Sequence, residues 1–383
     1  MPQGGGTRRP APRSSPVSTS PSTSTTGTSA TGRGAVVVVV VGASGNVGTS
    51  VLTALARSPA IARITGVARR PPRWTAEKTT WVPADVARDD LLPVFAGADV
   101  VIHLAWLFQP THDPTATWQA NVLGGIRVFD AAARAGVPAL VCASSVGAYS
   151  PGPKDRTVDE TWPTHGWPGA AYTREKAYVE RVLDAFELDH PAMRVVRLRP
   201  GFVFKRRAAS RQRRLFAGPL LPGGLVRAAT VPVVPDLAGL RFQVVHSEDV
   251  GEAYRLAAER TVRGAFNIAA EPVVDSRTLA EALSARAVRV PAGAARAALA
   301  AAWRLHLVPA TPGLLDAVLH LPLMDTTRAR TELGWTPRHD SHAALRSLLT
   351  GLREGAGGDT AALAPDTPAG RLREIRTGVG RHA

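Results

Sequence analysis

Val36-Val37-Val38-Val39-Val40-Val41-Gly42-Ala43-Ser44-Gly45-Asn46-Val47-Gly48 is the stretch whose reading decides the fold. An unbroken run of valines this short cannot span a bilayer and fits a strand covered on both faces, as in the middle of a parallel sheet. Gly42, Gly45 and Gly48 follow at G-x-x-G-x-x-G spacing, and the residues from Val47 to Ala56 read as the helix into which the turn opens. Such a turn lets backbone approach a pyrophosphate, whose charge then rests on the helix N-terminal amides. A glycine triplet alone is a weak signal, but strand, triplet and helix in this order are the context the motif needs.

Outward from that turn, Ile61–Ala68 reads as a second strand, Thr79–Asp85 as a third, Asp99–Ala105 as a fourth, Ala139–Ser145 as a fifth and Val195–Gly201 as a sixth. Helical segments lie between them, among them 115–136, which contains Asn121, and 170–189, where Tyr172 and Lys176 stand four apart on one face. Strands alternating with helices at this pitch mean crossover units and an α/β, doubly wound parallel sheet. Beyond Gly201 the alternation is lost in a basic loop and a Pro/Gly-dense segment, 218–239, where a smaller, irregular substrate lobe is expected. The resulting division is a disordered extension over 1–33, a dinucleotide-binding core over 34–200, a substrate lobe interleaved with late strands over 201–352 and a mobile tail over 353–383.

The formal charge of +15 is unevenly placed: residues 1–33 supply +4 and 353–383 only +1. Lys205, Arg206, Arg207, Arg211, Arg213 and Arg214 then account for six of the remaining ten charges, with no acid among them. The excess is local, without aromatic interleaving or a reading helix, so nucleic acid is not expected as a partner. Three readings of the basic loop stand open: a solvated run, a clamp for an anionic substrate and a patch for acidic lipid or nucleic acid. No apolar run in 1–33 could serve as a signal-peptide core, and 285–307 is too charged to span a membrane, so stable insertion is not expected. With Cys142 as the only cysteine there is no intrachain disulfide, and a cytoplasmic location is the default expectation.

Taken together, the glycine turn, Ser145 and Tyr172-Thr173-Arg174-Glu175-Lys176 resemble the extended short-chain dehydrogenase/reductase family, the NAD(P)-dependent epimerase/dehydratase group. Val101–Ala105, Val158-Asp159-Glu160, Arg199-Pro200-Gly201, Asn267-Ile268-Ala269 and Leu333–Pro337 agree with it, so the resemblance covers about 35–350. It implies catalysis by Ser145, Tyr172 and Lys176, with Asn121 supporting a proton relay. It also implies cofactor contacts from Gly42, Ser44, Gly45, Asn46, Val47, Gly48, Asp85, Val86, Leu104, Ala105, Lys176, Pro200, Gly201 and Val203. Lys205 departs from the pattern, since the family commonly has glycine there.

The chemistry of these residues gives the same roles. A free tyrosine, titrating near ~10, is a weak acid–base catalyst, and an ammonium one helical turn away would favour its phenolate. Ser145, at the carboxyl end of the fifth strand, could hold a substrate oxygen. The second strand ends in Val67-Ala68-Arg69-Arg70 with no acid to hold the ribose hydroxyls of NAD, so NADP(H) is expected over NAD(H), with Arg69 and Arg70 toward the additional phosphate. The expected activity is hydride transfer at a carbonyl or alcohol carbon of a small, sugar-like or anionic molecule, by an enzyme that could form a homodimer; no metal site is expected. Val146-Gly147 after Ser145, where a dehydratase would carry an acidic pair, lowers dehydration as an option. A non-catalytic NAD(P)-sensing regulator is the alternative. His103 reads as a core histidine, Asp85 also as a helix cap, and His246 and Asp249 as serving the junction of core and lobe.

Overall fold

A computed structural model describes residues 35–72, 74, 76–219 and 232–380. The extension over 1–33 and much of the Pro/Gly-dense segment lie outside the described residues. Seven strands, β1 (Val36–Val41), β2 (Ile61–Ala68), β3 (Thr79–Pro83), β4 (Val100–His103), β5 (Ala139–Ala143), β6 (Arg194–Pro200) and β7 (Gly264–Ile268), form one sheet. Every pairing is parallel and the order is β3-β2-β1-β4-β5-β6-β7. The chain reverses direction of growth between β1 and β4, and ligands of open α/β sheets bind outside the strand ends at that point.

The valine run earns its central position by alternation. Val38 and Val40 point into one core with Leu52, Leu55 and Ile64, while Val39 and Val41 point into the other with Val128, Phe129 and Leu183. Helices α1 (Asn46–Ala56), α2 (Gly124–Arg134), α3 (Ala171–Asp189) and α4 (Ser247–Glu259) cover the two faces, α1 with α4 on the first and α2 with α3 on the second. The α1–α4 approach is close enough that a side chain on Gly251 would meet the Ser50 carbonyl at 2.6 Å, and Ser50 and Ser247 share a hydroxyl hydrogen bond of 2.9 Å.

From the irregular part of the chain, β7 returns to the sheet edge, and α5 (Pro312–His320) and α6 (Ser341–Glu354) pack beside the core. The segment 285–307, which reads as an amphipathic helical lobe, begins as a strand, Arg286–Arg289, paired with Val233–Asp236, and only then becomes the helix Ala292–Arg304.

The expected tail carries structure of its own. Residues 355–380 pack on the body and contain a helix, α7 (Pro368–Thr377), with Leu363 and Val379 buried. Thr360 donates its hydroxyl to the Ser44 carbonyl at 2.7 Å, and Thr111 donates its amide to the Gly380 carbonyl at 3.0 Å. The missed signal was non-local, because the acids that hold this segment pair with arginines about 150 residues earlier.

Candidate active site

The turn after β1 is built from backbone that tolerates no side chain at two positions. Gly42 has φ +85°, and a Cβ there would lie 2.6 Å from the Ala105 amide nitrogen; at Gly48 it would lie 2.4 Å from the Gly42 carbonyl. Gly45 differs, since its nearest neighbour would be 3.4 Å away, on the side of the cleft. Gly45 is also the N-cap of α1, where no side chain caps the helix and no acid occupies the first turn. Asn46, which could have capped it, donates its Nδ2 to the Val203 carbonyl instead. The amides of that first turn are therefore left for an anion, which fits the pyrophosphate of a dinucleotide.

Lys205 adds charge behind the same turn. Its Nζ donates to the Asn46 carbonyl at 2.8 Å, Thr49 Oγ1 at 2.6 Å and Ser50 Oγ at 3.1 Å, and burial lowers its pKa to about 8. Its place explains the departure from glycine: the long side chain reaches back to α1 instead of entering the substrate loop.

One cleft of about 350 Å³ gathers nearly all the expected residues. Gly42, Ser44, Gly45, Asn46, Val47, Gly48, Arg69, Arg70, Asp85, Val86, Leu104, Ala105, Pro200, Gly201 and Val203 line it, together with Asn121, Ser145, Tyr172 and Lys176. Arg69 and Arg70 are exposed at the end of β2. Asp85 does not cap the short helix Leu92–Phe95, whose N-cap is Leu91; its Oδ1 accepts from the Ala87 amide at 3.0 Å within a turn. His103 is buried at the end of β4, where burial and then the Lys176 charge lower its pKa to about 3, so it stays neutral in the core.

Ser145 sits just past β5 and its Oγ accepts from the Gly147 amide at 3.0 Å. Gly147 has a second reason to be glycine, since a Cβ there would meet the Tyr172 ring at 2.8 Å. Burial pushes the Tyr172 phenol up to about 12, and Ser145 beside it pulls the other way. Phe108 stacks on Tyr172 with ring centroids 4.9 Å apart, and Trp106 meets it edge-on at 5.9 Å.

Lys176 departs from the simplest reading. It is 3 % exposed, its Nζ donates to the Ala143 carbonyl at 2.7 Å and stands 3.3 Å from the Trp106 ring centroid, and burial lowers its pKa to about 7. Its Nζ is 6.0 Å from the Tyr172 ring centroid, and the downward pull on the phenol comes from Ser145.

Asn121 lies in a π-helical turn, Gln119–Leu123, of the kind that marks functional positions in helices. Its side chain is fully used: Oδ1 accepts from the Leu107 amide at 2.6 Å, and Nδ2 donates to the Leu107 carbonyl at 2.8 Å and to Glu175 Oε2 at 2.6 Å. It holds the 106–108 strip over Tyr172, with both Nδ2 protons donated. Glu175 and Glu180 were not singled out in the sequence. Glu180, four residues after Lys176, is buried between Arg199, Arg197 and Ser144, and although burial opposes its charge, the Arg199 guanidinium bonds bring its pKa down to about 2. The available signal was Arg197 and Arg199 at strand spacing opposite an acid on α3.

His246 and Asp249 meet the chain's late segment as expected. Asp249, 2 % exposed, accepts from the amides of Arg338 and His339 at 3.1 and 3.0 Å and pairs with His339 Nδ1 at 3.0 Å. The ligand atoms of His246, Glu248 and His339 lie within 4.8 Å of one another in a second cavity of about 660 Å³. Lys205, Arg206, Arg207 and Arg338 line that cavity too, and their charge opposes a cation.

Residues 38–269 match the model of the NAD dependent epimerase/dehydratase family, and the chain belongs to that family. A ketoreductase of Stigmatella aurantiaca, named for a 4-hydroxy-2-methyl-3-oxo-4-farnesyl-3,4-dihydroquinoline-1-oxide substrate, is 27% identical over 277 residues, covering 68% of this chain and 79% of that protein. An uncharacterised protein of Mycobacterium tuberculosis is 26% identical over 331 residues, 82% of this chain and 84% of its own. Among solved structures, the Thermus thermophilus UDP-glucose 4-epimerase complex with NAD superposes with a TM-score of 0.62 at 21% identity, over 83% of this chain and 99% of that one. MoeE5 in complex with UDP-glucuronic acid and NAD gives 0.63 at 21% identity, over 83% and 99%. The chain is thus an NAD-dependent enzyme of the Rossmann type. No helix among the described residues is long and apolar enough to cross a membrane.

Proposed function

We propose that this enzyme reduces a ketone with NADPH, using Ser145, Tyr172 and Lys176. The observation that carries the reading is that Ser145, Tyr172 and Lys176 line one cleft with the glycine turn, the loop after Ser145 packing Gly147 directly on the Tyr172 ring. When bound, the nicotinamide supplies the hydride. Ser145 then holds the carbonyl oxygen and Tyr172 gives that oxygen its phenolic proton as negative charge develops on it. A phenol raised to about 12 keeps its proton through neutral pH and yields it only to a strong base such as an alkoxide. The relationship to a ketoreductase supports reduction as the direction. Lys176, by the family resemblance, holds the nicotinamide ribose.

Arg69 and Arg70 support the cofactor preference, being exposed at the cleft's adenosine end with no carboxylate at the close of β2. One charge-assisted bond at about 1.5 kcal/mol would give roughly tenfold preference for NADPH. Steady-state kinetics and cofactor titration test the reading together. Tyr172→Phe is expected to lower turnover at least ~10²-fold with cofactor affinity within a few-fold of wild type. Full activity in that variant would remove the mechanism, cofactor binding with no turnover of any carbonyl would leave a sensing protein, and equal NADH and NADPH affinities would remove the phosphate contact.

A further inference from the structure

We infer that the substrate is an apolar, ring-bearing carbonyl compound and not a sugar nucleotide; this rests on the hydride-transfer reading above. The inference comes from how charge is distributed along the cleft. Its described lining carries the charged side chains Arg69, Arg70, Asp85, Lys176 and Arg211. Arg69, Arg70 and Asp85 follow β2 and β3 at the adenosine end, and Arg211 feels the Arg69 charge there. Lys176 is held on the Ala143 carbonyl. Around Ser145 and Tyr172 the described walls are Trp106, Phe108, Leu215, Phe216, Leu314 and Val318.

These walls are organised, not incidental. Phe108 is sandwiched between Tyr172, stacked at 4.9 Å, and Phe216, edge-on at 6.0 Å. Leu314 and Val318 stand four apart on α5, so one helix face closes the opposite side. A side cavity of about 60 Å³ behind Phe108 and Leu314 continues the apolar lining. The indole Nε1–H of Trp106 is buried without a protein partner among the described residues, an extra donor in a largely apolar wall. Apolar walls with a few placed polar groups are how sites recognise an apolar molecule bearing one reactive oxygen.

Of the basic segment only Arg211 lines the cleft, and the other arginines are committed elsewhere. Arg206 pairs with Glu354 at 2.5 Å, Arg213 with Asp366 and Glu374 at 3.1 and 3.0 Å, and Arg214 donates to the Ala364 carbonyl at 2.9 Å. A diphosphate at the Tyr172 end would be taken out of water with no described guanidinium to receive it.

The test uses full-length protein and four probes: α-tetralone, acetophenone, UDP-glucose and UDP-glucuronic acid. Calorimetry on the NADP-loaded protein reads binding, and NADPH consumption reads turnover. Expected is binding and reduction of α-tetralone with kcat/KM at least ~10-fold above any rate with either UDP-sugar. Phe216→Ala should raise KM for α-tetralone about 5- to 20-fold with NADPH affinity unchanged, the loss of an aromatic wall. Preferred binding of UDP-glucose or UDP-glucuronic acid would overturn the inference and leave hydride transfer standing, as would binding of none of the four with active turnover of another polar carbonyl. Binding of α-tetralone without reduction would uphold the apolar site and overturn the hydride-transfer reading instead. Failure of all four probes to bind or react overturns the inference.

Discussion

The glycine turn at 42–48 and the basic run at 205–214 are the two densest signals in the chain, and only the first means what it says. Gly42 and Gly48 act through backbone: a Cβ at either would strike main-chain atoms within 2.6 Å, from the turn itself at Gly48 and from the neighbouring strand's end at Gly42, whatever side chains lie there. The arginines act through side chains whose partners are set by the fold. Arg207 and Asp359 approach at 3.6 Å, Arg211 reaches the Ala362 carbonyl at 3.2 Å, and Arg213 is closed in by Asp366 and Glu374. A cluster that looks like an anion clamp is the socket for the chain's own C-terminal segment. Charge in a sequence is therefore a weaker indicator of function than glycine at fixed spacing, because a charge can be answered from anywhere.

The sharpest way to break this contrast is at Gly48. Gly48→Val puts a side chain 2.4 Å from the Gly42 carbonyl, so the turn must open. Cofactor affinity is expected to fall at least ~10²-fold with a lowered Tm, since overpacked backbone costs about 1–3 kcal/mol before any ligand is lost. Gly45→Ala should separate the two effects, keeping Tm while weakening cofactor, because at Gly45 only the cleft lies in the way. Fluorescence titration with NADPH reads both, and near-normal binding by Gly48→Val would mean the turn is not a pyrophosphate seat.

In the basic run the largest effect is expected at Arg213, 3 % exposed and bonded to Asp366, Glu374 and the Gly218 carbonyl. Arg213→Leu leaves two buried carboxylates, and breaking a pair of this kind costs about 3–5 kcal/mol. Arg371 stays beside Asp366, which places the expectation near the lower end, about 3 kcal/mol in a urea melt. An unchanged melt would return residues 355–380 to the status of a loose tail.

Lys176 shows that burial, and not residue type, sorts the cations. Its pKa of about 7 lies below the ordinary lysine value of 10.5, so between those pH values the unfolded chain holds a proton that the folded protein does not. Stability must then rise with pH across that window, with the full cost of burying the ammonium present below pH ~7. Lys176→Met is expected to abolish turnover and to raise Tm by a few degrees at pH ~6.5, with a gain that shrinks toward pH ~10. A gain independent of pH would mean that the variant acts through packing alone.

Much of the fold was legible because its determinants are local. β2 falls on Ile61–Ala68 as read, and the valine alternation sets β1 between two cores. Ser145, Tyr172 and Lys176 were legible by spacing, and they line one cleft with the glycine turn. What escaped depended on distant contacts. Asn121 could not be seen to spend its amide on Leu107 and Glu175, and Lys205 could not be seen to reach α1 across more than 150 residues. The apolar walls escaped for another reason: Trp106 and Phe108 adjoin β4, whereas Phe216 and Leu314 come from segments without a regular period.

The smallest effect belongs to the arginines that look most available. Arg206 and Arg207 have side chains 56% and 68% exposed, and their partners Glu354 and Asp359 are 44% and 70% exposed. Both pairs are solvated, and pairs of this kind are worth about 0–1 kcal/mol because water and salt screen them and the long side chains lose freedom in forming them. Arg206→Ala/Arg207→Ala should shift the urea midpoint by less than about 1 kcal/mol, a change that vanishes at high salt. The backbone bond from Arg206 to Ser347 Oγ at 2.9 Å survives the substitution, so the segment keeps its place. Kinetics supply the second arm: if these two arginines clamped an anionic substrate, their loss would raise KM for that substrate at low salt and leave cofactor binding alone. Unchanged KM together with a salt-sensitive, small stability change is expected, and it would confine the basic run to holding the chain's own end in place.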